Sequence, residues 1–235
     1  MEDAIVYDLI IKDAFIVDGS GTPGFRGDLA VNGDKIAAVG TIDGEAKEVI
    51  DAKGALLTPG WVDHHTHYDG QVTWDPYFTP SGWHGVTTVV MGNCGVGFAP
   101  CKEDQRDWLI QVMEGVEDIP GSALHEGIQW GWETFPEYLD AISSTPHAID
   151  FATQVPHCAL RAYVMGERSA ETNAPTPEEL EQMVSLVEEA VDAGALGFST
   201  SRTPLHKSQE GIAVAGTHAT TEELFAIGKA LSKKG

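Results

Sequence analysis

The alternation of strand-like and helix-like segments after Pro59 constrains the fold of this chain more than any other feature. Apolar runs typical of strands occur at residues 61–62, 86–91, 149–155 and 195–198. Segments with apolar residues at three- and four-residue steps occur at 104–116, 134–142, 176–191 and 220–234. Strands that alternate with helices form βαβ units and a parallel sheet. The pattern therefore predicts an α/β fold with about four βα units after residue 60.

Helix starts are marked by the capping box, in which a Thr precedes a Glu by three residues. This spacing occurs at Thr134, Thr176 and Thr220. The segment that begins at Thr176 is the clearest helix, because Pro177 suits its first turn and Gly194 follows soon after its end. The run at residues 86–91, VTTVVM, is typical of a strand buried on both faces.

Before Pro59 the sequence predicts short strands and no helix. The strand candidates are residues 8–17, 28–31, 35–39, 49–50 and 55–57. Asn32-Gly33 lies between two of them and favours a tight hairpin turn, in which both central residues have positive φ. We therefore expect a small β-sheet domain over residues 1–60 and a second domain over 61–235. A closed barrel of parallel strands needs eight strands and typically ~250 residues, so the second domain is too short to close one.

Charge and composition exclude several classes of function. The 235 residues contain 14 Lys and Arg against 36 Asp and Glu, a formal charge of −22. This balance argues against a nucleic-acid binder that neutralises phosphates and against docking on anionic membranes. The beginning of the chain, MEDAIVYDLI, lacks the basic flank of a secretory signal, and no stretch approaches the ~20 apolar residues of a membrane span. Three cysteines are too few for a disulfide framework and favour a reducing compartment, most simply the cytoplasm.

The densest group of potential ligands is the segment 59–69, PGWVDHHTHYD. His65 and His67 are two apart at the expected end of the first parallel strand, and side chains two apart on a strand point to the same side. Two neutral imidazoles could therefore reach one zinc-like ion. His64 should face away, and we interpret it as structural.

Cys94 ends the most hydrophobic strand, in the segment MGNCGVG. It follows His67 by 27 residues, about one βα unit, so both strand tips should face one pocket. A thiolate is a good zinc ligand, although a free cysteine is more often a buried structural residue. Cys101 and Cys158 are interpreted as such packing residues.

These motifs together resemble those of the amidohydrolase superfamily, and most closely its N-acyl-D-amino-acid deacylase (D-aminoacylase) branch. PGWVDHHTH and GVTTVVMGNCGVGFAP carry the resemblance, which continues through FPEYLDAI, VPHCALR and GALGFSTSRT over nearly the whole chain. The resemblance implies part of a β-sandwich over residues 1–60 and the N-terminal half of a metal-dependent TIM-like (β/α)₈ barrel over 61–235. It also implies hydrolysis of the amide C–N bond of an N-acyl-D-amino acid with one or two divalent ions, expected to be zinc.

The resemblance further implies metal-ligand roles for His65, His67 and Cys94. Many amidohydrolases bridge two metals with a carboxylated lysine on the fourth strand, but Lys102 is the only lysine between Lys53 and Lys207. A cysteine-type site is the consistent alternative.

Two further residues are candidates for substrate binding. His157, after the third strand, could orient the substrate or a metal ligand, or it could be a structural histidine whose hydrogen bonds are satisfied within the protein. Arg202, after the fourth strand, could hold a substrate carboxylate, because Arg binds carboxylates bidentately. We interpret His206 and His218 as loop residues without a site role.

The family's remaining metal histidines, on strands five and six, and its catalytic aspartate, on strand eight, have no counterpart in these residues. We therefore expect the isolated chain to lack deacylase activity, and to be poorly stable or self-associating. Alternatives remain open: a truncated product, a non-catalytic half-barrel subunit that pairs with a second polypeptide carrying the other half, or an amidohydrolase acting on a cyclic amide.

Overall fold

The computed structural model describes residues 6–170, 174–208 and 210–234, and the chain divides into the units Met1–Gly60 and Trp61–Gly235. The first unit contains a five-stranded sheet with β1 (Val6–Ile16), β2 (Phe25–Asn32), β3 (Lys35–Gly40), β4 (Glu45–Asp51) and β5 (Leu56–Leu57). Its order is β3-β2-β1-β4, and β5 also pairs with β1. The first three strands are antiparallel, whereas β4 and β5 run parallel to β1. Ile10, Ala30 and Ile42 form its buried cluster.

The hairpin predicted at Asn32-Gly33 is present, but its turn lies one residue further along the chain. Asn32 pairs with Lys35 as the last residues of β2 and β3, so Gly33 and Asp34 are the central turn residues. Positive φ is needed only at Gly33, where it is 59°. The side chain of Asn32 accepts a hydrogen bond from the backbone N–H of Asp8, which holds Asn32 within the sheet.

The described part of the second unit contains a four-stranded parallel sheet in the order β6-β7-β8-β9. Its strands are β6 (Trp61–Asp63), β7 (Val86–Met91), β8 (Asp150–Pro156) and β9 (Gly197–Ser199). All four lie where the sequence predicts them, although β9 begins two residues later. The predicted α/β fold class, a parallel half-barrel sheet, is confirmed. The sequence predicts that β7 is buried on both faces. Val89–Met91 are buried as predicted, but Thr87 is exposed.

The helices are α1 (Arg106–Glu117), α2 (Gly121–Gly127), α3 (Phe135–Ser143), α4 (His157–Met165), α5 (Pro177–Ala193) and α6 (Thr221–Ser232). Four of them confirm the periodic segments, whereas α2 and α4 were not predicted. Residues of α4 are buried on almost every side, so its sequence lacks the polar face that reveals a surface helix. No helix in the described part of the chain is long and apolar enough to span a bilayer.

The capping boxes predicted from the sequence are present at α3 and α5 but not at α6. Thr134 and Thr176 each form a complete capping box with the Glu three residues later. At α6, Thr220 accepts a hydrogen bond from the Glu223 N–H, but the Glu223 carboxylate does not return to the cap. The predicted third box is therefore wrong, because Glu223 is used in the protein interior, as described below.

Candidate metal centre

The sequence analysis places His65 and His67 at the end of the first parallel strand. In the structure both residues lie just beyond β6. β6 ends at Asp63, but the chain stays attached to the neighbouring strand because the Thr66 N–H and hydroxyl both donate to the Val90 carbonyl, at 3.0 and 2.7 Å. Thr66 is thus buried between the two histidines. The imidazole rings lie on one side, with centroids 5.5 Å apart. His64 is exposed.

Cys94 sits in a tight turn, Asn93–Gly95, that follows β7. Its own φ is 54°, a left-handed conformation that costs a non-glycine residue roughly 1 kcal/mol or more. Gly92 before it has φ 75°, and a Cβ there would collide with the Gln154 carbonyl oxygen. The close approach to β8 at this position therefore requires glycine.

Side chains from two directions hold this turn in place. The Asn93 amide donates to the carbonyls of Thr66 and Val90, at 3.2 and 2.9 Å. On the other side, the Ser199 hydroxyl of β9 donates to the Gly92 carbonyl and accepts from the Gly95 N–H at 3.0 Å. These contacts offset the strain at Cys94 and connect its position to β7, to β9 and to the segment that follows β6.

The structure brings the three predicted ligands together. His65 Nε2 lies 3.3 Å from Cys94 Sγ, and one ligand atom from each of His65, His67 and Cys94 falls within 4.8 Å of the others. Two imidazoles and a thiol are donors that zinc takes in proteins. The arrangement can therefore hold a divalent ion at the carboxyl-terminal edge of β6 and β7.

Two residues without a predicted role complete the cluster. Glu117, the last residue of α1, places Oε1 3.2 Å from His67 Nε2. His206, from the loop after β9, groups with Cys94 and Glu117, again with ligand atoms within 4.8 Å of one another. The sequence offers one signal for Glu117, which is its place at the C-terminal end of a predicted helix. An acidic side chain at that end opposes the helix dipole. The histidine in the polar loop carries no such signal.

Burial shifts the pKa of the groups at the centre of this cluster. Burial, followed by the neighbouring His65 and His206, lowers the pKa of His67 to about 4. Burial, followed by the charge of Glu117, raises the pKa of Cys94 to about 11. Burial also raises the pKa of Asp69, near the site, to about 7.

His67 Nδ1 and Asp69 Oδ2 are buried without a hydrogen-bond partner in the described structure. Because a bound dication favours thiolate, carboxylate and neutral imidazole, the orphaned atoms and the donor types fit a metal.

The candidate substrate residues occupy different environments. Arg202 is exposed, three residues beyond β9. His157 begins α4 and is fully buried. Its Nδ1 lies 2.8 Å from the Thr200 hydroxyl and its Nε2 lies 2.8 Å from Glu223 Oε1. Both ring nitrogens of His157 are therefore occupied within the protein.

Glu223 also pairs with Arg161, and the sequence interpretation missed this pair. Arg161 Nη1 donates to both Glu223 oxygens, at 2.6 and 2.5 Å, and its Nε donates to the Ser169 carbonyl at 3.2 Å. Burial would raise the pKa of Glu223, but hydrogen bonds from His157 and Arg161 outweigh it and lower that pKa. Burial also lowers the pKa of His157. At neutral pH the network therefore holds one negative and one positive charge.

Comparison with known proteins places the chain in a family. The model of the Amidohydrolase family matches residues 48–234. D-aminoacylase from Alcaligenes xylosoxydans xylosoxydans is 37% identical over 234 residues, which cover 99% of this chain and 44% of that protein. The chain thus spans less than half the length of this relative.

Solved structures agree with this result. A D-aminoacylase studied for its binuclear metal center aligns with a TM-score of 0.78 and 33% identity, over 97% of this chain and 44% of its own. N-acyl-D-glutamate deacylase from Bordetella bronchiseptica, complexed with zinc and a phosphonate inhibitor, aligns with a TM-score of 0.73 and 29% identity, over 97% and 43%. On the sequence match and the shared fold, the chain belongs to the amidohydrolase family.

Proposed function

We propose that this chain carries part of the active site of a metal-dependent hydrolase that cleaves the amide C–N bond of N-acyl-D-amino acids. One observation carries the proposal: the Cys94 thiol and the His65 and His67 imidazoles lie together just beyond two adjacent parallel strands. Enzymes built on such barrels keep their chemistry at this edge. The deacylase relatives supply the reaction class and the substrate class.

His65, His67 and Cys94 would hold the ion, expected to be zinc. When bound, such an ion polarises a carbonyl group and lowers the pKa of bound water toward ~7. The chain's own contribution is the placement of the ligands. The strained Cys94 turn, held by Asn93 and Ser199, fixes the one anionic ligand of the three, and two neutral imidazoles leave most of a divalent charge available to polarise a substrate.

We assign His157 to positioning and keep Arg202 as the substrate candidate. Because both nitrogens of His157 are engaged, it would act through Thr200 by fixing the segment that follows β9. Arg202 is exposed in that segment, and its guanidinium could bind the substrate carboxylate.

We infer that the remaining metal ligands and the proton-transferring carboxylate correspond to the part of the relatives that this chain does not match. These 235 residues alone would then be inactive. One observation favours the alternative of a half-barrel subunit paired with a second polypeptide: Trp61 and Val62 of the edge strand β6 are 57% and 61% exposed. Apolar side chains on an edge strand invite association.

The test uses a fusion of this chain with the matching second half of a relative. The fusion protein is assayed with N-acyl-D-amino acids and with their N-acyl-L counterparts. Each assay is run on the zinc-loaded fusion and again after chelation. We expect amine release from the D-series only, lost on chelation and restored by zinc. Hydrolysis that persists in the chelated protein would contradict the proposal. Release of product by the 235-residue chain alone would contradict the incomplete-site inference and leave the reaction class intact.

We also propose a reducing compartment, such as the cytoplasm, as the place of function. Cys94, Cys101 and Cys158 are free thiols in the structure, and the proposed role of Cys94 requires that it stay reduced.

A further inference from the structure

We propose that Thr200 is a positioning residue that connects the Cys94 turn at the metal centre to a buried chain of side chains, His157, Glu223 and Arg161. This inference rests on the proposed metal-dependent function and deepens it. It extends the positioning role of His157 from the segment after β9 to the sulfur atom of the centre.

The residues at the end of β9 pack directly on the Cys94 turn. A Cβ on Gly95 would lie 3.1 Å from Thr200 Cα, so the two backbones are in contact. One residue earlier, Ser199 ends β9, and its hydroxyl donates to the Gly92 carbonyl and accepts from the Gly95 N–H. A displacement of Thr200 is therefore passed to the turn both by direct contact and through the adjacent residue.

The hydrogen bond of Thr200 has a defined direction. Arg161 donates to both oxygens of Glu223, which keeps that carboxylate ionised and in place. A carboxylate only accepts, so His157 Nε2, 2.8 Å away, carries the proton. The neutral ring then offers Nδ1 as an acceptor, and the Thr200 hydroxyl donates to it at 2.8 Å. Thr200 is exposed, but this bond ties its hydroxyl to a buried ring.

The His157 ring is a fixed acceptor. Its side chain is 1% exposed, and the Phe198 ring packs against it edge-on with centroids 5.0 Å apart. Gly216, with φ 98°, lies so close that a Cβ there would be 2.6 Å from His157 Nδ1. A ring enclosed in this way keeps one orientation, so Thr200 is bound to a fixed point of the protein interior.

The Cys94 turn needs this support because its backbone is strained. The φ of 54° at Cys94 is unfavourable for a residue with a side chain. A turn released from β9 can relax toward an ordinary conformation, and relaxation moves the sulfur relative to His65 and His67. One neutral hydrogen bond corresponds to roughly 3- to 10-fold in an equilibrium, so we expect an effect of that size when the Thr200 hydroxyl is removed.

The competing explanation is that the buried chain only stabilises the packing of α4 and α6. Loss of the Thr200 hydroxyl would then weaken the whole fold and expose different cysteines alike. Cys101 is 0% exposed, and its N–H donates to the Glu133 carbonyl, so its reactivity reports the fold. Cys94 is half-buried within the turn, so its reactivity reports the turn.

The test measures alkylation of each cysteine by iodoacetamide in the metal-free protein, followed by peptide mass spectrometry, together with zinc affinity by calorimetry. We expect Thr200→Val, which keeps the side-chain shape, to raise the Cys94 rate and to lower zinc affinity, each roughly 3- to 10-fold. The Cys101 rate should not change. Thr200→Ser keeps the hydroxyl and should match the unmodified protein. The matched control is Thr217→Val, because the buried Thr217 hydroxyl has no hydrogen-bond partner in the described structure.

A Cys94 rate in Thr200→Val equal to that of the unmodified protein would overturn the positioning role, and so would equal increases at Cys94 and Cys101. The same change in Thr200→Ser would also overturn it, because the hydroxyl would then not be the cause. If the unmodified protein binds no zinc, the proposed function fails, but the alkylation rates still decide whether Thr200 holds the turn.

Discussion

Replacing Glu223 by Gln removes one charge from a buried pair while almost preserving side-chain volume. The Glu223 side chain is 0% exposed and that of Arg161 is 2% exposed, so the guanidinium left behind has little access to water. Breaking a buried ion pair by removing one partner costs about 3–5 kcal/mol. We expect Glu223→Gln to lower the free energy of unfolding by that amount.

Urea unfolding followed by circular dichroism measures this loss, seen as a lower midpoint with an unchanged slope. The matched control is Glu222→Gln, the neighbouring exposed residue in the first turn of α6, which should cost only about 0.3–1 kcal/mol through the helix dipole. Adding Arg161→Met to the Glu223→Gln variant should recover part of the stability, because it removes a buried positive charge that no longer faces a carboxylate. A loss for Glu223→Gln no larger than for the control would refute the reasoning.

Three further predictions concern the cluster and its support. Cys94→Ala should abolish tight zinc binding, measured as zinc per protein after dialysis, whereas Cys101→Ala and Cys158→Ala should retain it; undiminished zinc in Cys94→Ala would show that the thiol is a packing residue. Ser199→Ala should weaken zinc binding roughly 10- to 100-fold, because the Cys94 turn loses its contact with β9; calorimetry showing unchanged affinity would contradict this. Stability should fall as pH drops below about 6.5, because burial lowers the pKa of His157 in the folded protein and the unfolded chain then binds the extra proton. Urea midpoints measured across pH should depend less steeply on pH in His157→Gln than in the unmodified protein. An equally steep dependence in both would count against this prediction.

Local sequence signals predicted much of the fold. The Thr134 and Thr176 caps mark their helices because the capping hydrogen bonds are local. The third box failed at Glu223 because a distant residue, Arg161, competes for its carboxylate, and no local pattern reports that contact. Helix α4 was missed for a related reason: a helix buried on almost all sides has no polar face to reveal it.

The candidate centre was predictable only where it follows strand ends. His65, His67 and Cys94 follow adjacent strands, and parallel pairing brings such positions to one edge. Glu117 and His206 reach the same place from a helix end and from a loop, so their proximity depends on tertiary packing.

X-ray absorption at the zinc edge of the zinc-loaded protein tests the central claim most directly. We predict sulfur scattering at ~2.3 Å together with nitrogen scattering from imidazoles at ~2.0–2.1 Å, and loss of the sulfur contribution in Cys94→Ser. A spectrum without sulfur, or one in which sulfur persists after Cys94→Ser, would contradict a metal centre built on Cys94, His65 and His67.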